Sequence, residues 1–192
     1  MKKREVIVRV SNRHMHLTRE TLDVLFGKGY ELHVKKPLDP PIFAAQETVT
    51  IQGPRGKIDN VRILAPLRGY DQVELLRSDN FKLGIDAPIE LSGSDNKAPL
   101  TVIGPVGQIN FDNVALIAQR HIHFTEEQAE EFGVRKGQIV RVRVGKGKRK
   151  VIFDDVAIVI TAGMLEPSMD LDFEEVNASA LKSGDYVEIL DD

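Results

Sequence analysis

Along most of the chain, apolar and polar residues alternate over short stretches that end in Gly, Pro, Asn or Asp, the pattern of β-strands bounded by turns. Strands are predicted over 4–11, 30–36, 48–53, 60–65, 72–77, 100–104, 113–119, 138–145, 148–161 and 186–190. Helical spacing is confined to a few stretches. TRETLDVLFGKG (18–29) and TEEQAEEFGVRKG (125–137) each start on Thr and end in Gly, and Thr125 with Gln128 has the spacing of a capping box. EEVNASALKSG (174–184) starts acidic and also ends in Gly. The pattern predicts a mostly β protein with a few short helices.

The pattern also repeats. SNRHMHLTRETLDVLFG at 11–27 matches AQRHIHFTEEQAEEFG at 118–133, so that Arg13, His14, His16, Thr18 and Glu20 recur 107 residues later as Arg120, His121, His123, Thr125 and Glu127. GKIDNVRIL (56–64) resembles RKVIFDDVAIVI (149–160). Two related halves are expected, meeting near the GPVG of residues 104–107.

The repeat changes the reading of the histidines. Side chains on a strand alternate faces, so His14 and His16 project together, as do His121 and His123. One such pair is as consistent with a wet strand face as with a metal site. Four of the chain's five histidines falling into two equivalent pairs favours metal. The fifth, His33, has no neighbouring partner and reads as an ordinary strand residue.

Composition removes several classes of function. The 192 residues are 42% hydrophobic and 29% charged, with net charge −3, which suits a globular chain and offers no field for nucleic acid or anionic lipid. The basic run KGKRK (146–150) reads as the solvated tip of a hairpin. No apolar run approaches the ~18 residues of a membrane span, and no signal peptide is expected. Without cysteine there is no disulfide, no thiolate ligand and no cysteine nucleophile, which suits a cytoplasmic setting.

A zinc-like site needs at least one ligand beyond an HxH pair. Glu74, in the alternating stretch DQVELL, is a candidate, and an exposed strand carboxylate is the competing reading. Arg68, in APLRGYDQ, belongs at a loop tip, where a guanidinium either grips phosphate or is simply solvated.

NRHMHLT (12–18), ILAPLRGYDQVELLRSDNFKLGIDAP (63–88), QRHIHFT (119–125) and MDLDFEEVNAS (169–179), in this order, resemble the PduL-type phosphotransacylases, the phosphate propanoyltransferases of propanediol utilisation. The resemblance spans nearly the whole chain. It implies two pseudo-symmetric six-stranded β-barrels, each with a capping helix and with the active site between them: a first barrel over 13–118, and a second over 119–192 completed by an N-terminal strand at 2–12. It implies two divalent ions, zinc or similar, one at His14, His16 and Glu74 and one at His121 and His123. Arg68 matches the phosphate-contacting arginine. One position departs: Asp170 stands where the family carries the third histidine of the second site. An aspartate oxygen can ligate zinc, so His121, His123 and Asp170 are expected to form a harder, more anionic centre, with loss of that site as the competing outcome.

The implied reaction moves a propanoyl or acetyl group between coenzyme A and phosphate by direct transfer, with acyl phosphate as the other partner. The resemblance also implies a homodimer. The chain starts at its first strand, without the N-terminal extension that directs some relatives into microcompartments, which points to a free cytoplasmic enzyme. Two other functions share the same residues: a metal-dependent thioesterase, which needs no phosphate, and a non-catalytic CoA-binding relative that has lost a metal ligand.

Overall fold

The computed structural model describes residues 4–38 and 41–190. It opens with β1 (Glu5–Ser11), followed by the HMH strand β2 (His14–His16), α1 (Arg19–Phe26), β3 (Val34–Pro37), β4 (Phe43–Gln52), β5 (Lys57–Ala65) and β6 (Gln72–Leu75). Next come α2 (Asp79–Leu83), β7 (Ile89–Glu90), β8 (Ala98–Ile103) and β9 (Gln108–Ala118). The HIHF strand β10 (His121–Phe124) leads to α3 (Glu126–Phe132), β11 (Ile139–Val144), β12 (Val151–Ile160), β13 (Ser168–Asp172), α4 (Phe173–Ser179) and β14 (Tyr186–Ile189). No helix among these residues is long and apolar enough to cross a membrane.

The chain forms two compact units. Asn12–Ala118 is one, and the described residues up to Ser11 and from Gln119 onward are the other. In the Asn12–Ala118 unit, β2, β5, β4, β8, β9 and β6 pair in a ring that closes through β6 and β2, with β3 and β7 added outside it. The other unit is a closed barrel in the order β1, β13, β10, β12, β11, β14. The two rings correspond strand for strand. β2 and β10 each lie parallel to one neighbour, β5 or β12, and antiparallel to the other, β6 or β13. β9 and β1 each run parallel to β6 or β13 and antiparallel to β8 or β14. The second ring thus takes its sixth strand from the start of the chain. Residues 2 and 3 of the strand expected at 2–12 lie outside the described residues.

Local chemistry explains the elements. In β11, Val140, Val142 and Val144 are buried while Ile139, Arg141 and Arg143 face out, the period-two pattern of a half-buried strand. Each fully buried aliphatic side chain contributes roughly 1.5–3 kcal/mol. Met15, Leu22 and Leu25 join one core with Ile51, Ile63 and Val73, while Val8, Ile122, Phe124 and Met169 join the other. Thr18 caps α1, and Thr125 with Gln128 forms the full capping box at α3, which ends at Gly133 with φ 63°.

Several expectations are corrected. The GPVG of 104–107 is not a junction between halves but the turn joining β8 and β9. Gly104 donates to the Gly107 carbonyl at 2.9 Å and Val106 donates to Leu25 O, the end of α1, at 3.0 Å. The GPRG of 53–56 does the same: Gly53 N to Gly56 O is 2.9 Å, and Arg55 donates to Leu83 O of α2 at 3.0 Å. A Cβ on Gly104 would collide with Leu25 O, and one on Gly107 would lie 2.5 Å from Val24 O, so the close approach requires glycine. The strand expected at 30–36 is reduced to Val34–Pro37: His33 O still accepts from Gln46 N of β4 at 2.7 Å, but its N–H donates to the Glu47 side chain, Oε2, at 3.1 Å and its Nδ1 lies 2.7 Å from Oε1. The stretch after β6, expected to remain extended to Arg77, instead turns into α2. KGKRK forms the exposed tip between β11 and β12.

Candidate metal centres

β2 is only three residues long and fully buried. Met15 points into the core, so His14 and His16 must point to the other face. β6 runs antiparallel beside it, with His14 opposite Glu74, Met15 opposite Val73 and His16 opposite Gln72. The register therefore sets four polar side chains in a square on one face. His14 Nε2 lies 3.2 Å from His16 Nε2 and 3.4 Å from Glu74 Oε2, and His16 Nε2 is 3.8 Å from Glu74 Oε1. The imidazoles meet edge to face at 83°.

The second unit repeats the square. His121 faces Asp170, Ile122 faces Met169 and His123 faces Ser168 across β10 and β13. His121 Nε2 and His123 Nε2 are 3.0 Å apart, and Asp170 Oδ2 is 3.8 and 3.6 Å from them. The rings again meet nearly at right angles, at 85°. Asp170 thus holds the place of Glu74, one methylene shorter.

Both squares suit a divalent ion. Two ligand atoms about 2.0–2.1 Å from one tetrahedral ion lie ~3.3 Å apart, close to the observed nitrogen separations. His14 Nδ1 is 2.8 Å from Asn12 O and His121 Nδ1 is 2.7 Å from Gln119 O. A carbonyl can only accept, so each Nδ1 donates, which leaves Nε2 as the nitrogen whose lone pair can face inward. In each square the three ligand atoms lie within 4.8 Å of one another. In the second square, Asp170 Oδ1 and Ser168 Oγ are buried without a hydrogen-bond partner among the described residues, as expected of oxygens that face a cation. Their counterparts are satisfied: Gln72 Nε2 donates to Glu74 Oε1 at 2.9 Å and its Oε1 accepts from Gly93 N at 2.9 Å.

The electrostatics of the first square divide its histidines. Burial opposes protonation of His14, but the Glu74 carboxylate outweighs it and raises the pKa above the ordinary value. For His16, burial, the His14 charge and Arg68 together depress the pKa to about 3, so its imidazole is neutral at ordinary pH.

Arg68 follows β5, with its N–H anchored on Leu17 O at 2.8 Å. Its Nη1 donates to Tyr70 Oη at 2.8 Å and Ser92 Oγ at 3.2 Å. Nε and Nη2 have no partner among the described residues, so two donors of a rigid fork are available for an anion. Gln72 Nε2 also reaches Ser92 Oγ at 2.8 Å, so a hydrogen-bonded chain runs from Arg68 through Ser92 and Gln72 to Glu74. Lys97 Nζ sits 5.3 Å from the Tyr70 ring centroid. Sequence reasoning named none of Tyr70, Gln72, Ser92 and Lys97. Gln72 was within reach, since it shares a strand face with Glu74; Ser92 arrives from a distant segment.

A family model described as phosphate propanoyltransferase matches residues 7–182. A phosphate propanoyltransferase of Thermotoga maritima is 47% identical over 189 residues, covering 97% of this chain and 89% of the relative. One of Lachnoclostridium phytofermentans is 45% identical, covering 96% and 87%, and one of Rhodopseudomonas palustris is 44% identical, covering 96% and 82%.

Proposed function

This chain belongs to the phosphate propanoyltransferase family, a family of acyltransferases, and we propose that it transfers a propanoyl or acetyl group between coenzyme A and inorganic phosphate. A phosphate oxygen attacks the thioester carbonyl carbon, a C–O bond forms and the C–S bond breaks, and the sulfur leaves as thiolate and takes up the proton that hydrogen phosphate gives up, becoming the thiol of CoA. The observation that carries this reading is the fork of Arg68 beside a buried two-histidine, one-carboxylate square. The reaction must bring an anionic nucleophile to a carbonyl and release a thiolate. Arg68 answers the first need: Nε and Nη2 bind and align phosphate while Tyr70 and Ser92 hold Nη1, so that orientation is set before the reaction. Glu74 is held in turn by Gln72.

His14, His16 and Glu74 would hold one divalent ion and His121, His123 and Asp170 a second, zinc or a similar metal. When bound, such ions supply Lewis acidity that favours an oxyanion and a thiolate. Asp170 stands where the first square has Glu74, and Ser168 where it has Gln72, which supports retention of the second centre, harder in character than a three-histidine set. The chain has no cysteine to carry the acyl group, in keeping with direct transfer.

The test is CoA release from propanoyl-CoA and acetyl-CoA by metal-loaded protein, with and without phosphate. Phosphate-dependent release with formation of acyl phosphate is expected. Release at the same rate without phosphate would identify a hydrolase, and absence of release with CoA still bound would identify a non-catalytic relative.

A further inference from the structure

Arg13 and Arg120 stand directly before the two HxH pairs. Neither belongs to the ligand sets or to the phosphate fork. Arg13 grips Asp79 with two bonds, Nε to Oδ2 at 2.8 Å and Nη2 to Oδ1 at 2.9 Å. Asp79 is buried, opens α2 and lies five residues past Glu74. Its Oδ2 also accepts from the N–H of Leu76, two residues past Glu74, at 3.0 Å. The path from Arg13 through Asp79 to Leu76 therefore ties the start of the histidine strand to the end of the strand that carries the carboxylate.

The other unit contains the same tie. Arg120 Nε donates to Glu175 Oε1, and its Nη1 donates to Asp155 Oδ1. Glu175 lies five residues past Asp170, in α4. Its Oε2 accepts from the N–H of Asp172, two residues past Asp170, at 2.9 Å. The Arg120 guanidinium also stacks 4.1 Å from the Phe153 ring centroid. The sequences of α2 and α4 are unalike, yet the carboxylate and the N–H fall at the same two offsets.

We infer that Arg13 and Arg120 are positioning residues that set the distance between each HxH pair and its facing carboxylate; this rests on the reading of both squares as metal centres. The physical need is specific. Among the described residues β2 pairs with β6 at three positions, and β10 with β13 at three, so few direct ladder bonds resist sliding of one strand along the other. A metal centre requires its ligands to hold their places within about 0.5 Å. In the first unit a bidentate pair of Arg13 with Asp79 supplies that stiffness, and in the second the fork of Arg120 is shared between Glu175 and Asp155; in both the planar guanidinium fixes direction as well as distance. Groups that orient metal ligands without touching the ion typically change affinity by about 10–100-fold.

Zn²⁺ affinity measured by chelator competition on the full chain tests this. A chain carrying His121→Ala and His123→Ala isolates the first centre. There, Arg13→Gln and Asp79→Asn should each weaken Zn²⁺ binding by about 10-fold or more. Once Glu74→Ala is present, Arg13→Gln should cost nothing further, because its effect passes through that carboxylate. In the mirror background, His14→Ala with His16→Ala, Arg120→Gln should behave the same way relative to Asp170→Ala. Circular dichroism of the metal-free proteins verifies folding, and Asp79→Asn probes the same tie from its other end if Arg13→Gln does not fold. Unchanged affinity in Arg13→Gln and Asp79→Asn, or an undiminished loss in the Glu74→Ala background, would overturn the inference and leave the metal reading standing. If the parent chains bind no Zn²⁺ through their histidines, the metal reading itself falls, and the inference with it.

Discussion

Glu74 and Asp170 occupy one position in two matched ladders: each faces the first histidine of an HxH strand across an antiparallel pair. The equivalence makes Asp170 a carboxylate in a place that the fold already uses for a carboxylate. It also predicts separable sites. Metal-replete protein should carry two ions per chain by elemental analysis, and Glu74→Ala or Asp170→Ala should each lose one. The affinity lost at the altered site should exceed the ~10–100-fold of an outer-shell change. Asp170→His should keep two ions.

Arg68 contacts no candidate ligand directly, so its removal should separate phosphate handling from metal content. Arg68→Ala should lower phosphate-dependent turnover by about 10²-fold, the scale of a lost alignment, with both ions retained. Arg68→Lys should recover only part, because an ammonium cannot present a planar fork. Steady-state kinetics with varied phosphate, beside elemental analysis, decides it; unchanged phosphate kinetics would remove Arg68 from the site.

The GPVG turn makes a prediction about stability alone. Gly104→Ala places a Cβ against Leu25 O at the end of α1, which cannot retreat without dragging the buried Leu25 side chain. A loss of about 1–3 kcal/mol is expected in urea unfolding, with the metal sites intact in the folded protein.

Glu47 supplies the pH dependence. Burial alone would raise its pKa, but hydrogen bonds from His33 and Tyr30 outweigh it and hold the carboxyl below its ordinary value. A depressed folded pKa means that the stabilisation is present above the unfolded carboxylate range and disappears as pH falls through the folded value. Glu47→Gln should therefore cost about 1–3 kcal/mol near neutrality. The gap to the unaltered protein should narrow as pH falls below the ordinary carboxylate range and through the lower folded value, where Glu47 itself becomes neutral. Unfolding titrations at several pH values measure it.

Local pattern determined much of this protein. Strand alternation was enough to place His14 with His16 and His121 with His123 on shared faces, because that period is a property of the extended backbone itself. Thr125 with Gln128 announced the start of α3 because a capping box is satisfied within four residues. The repeat exposed two related halves. What lies opposite each histidine pair was not legible from spacing, since Glu74 sits 60 residues after His14 and Asp170 49 after His121, and both are placed by a register that exists only once the ring of strands closes. The same holds for His33, whose N–H is taken by the side chain of Glu47, and for the GPVG turn, which reads as a junction until α1 packs beneath it. It holds most of all for Arg13 and Arg120: the repeat showed that they recur, but only the tertiary structure, by bringing Asp79 and Glu175 to the strand ends, decided what they grip.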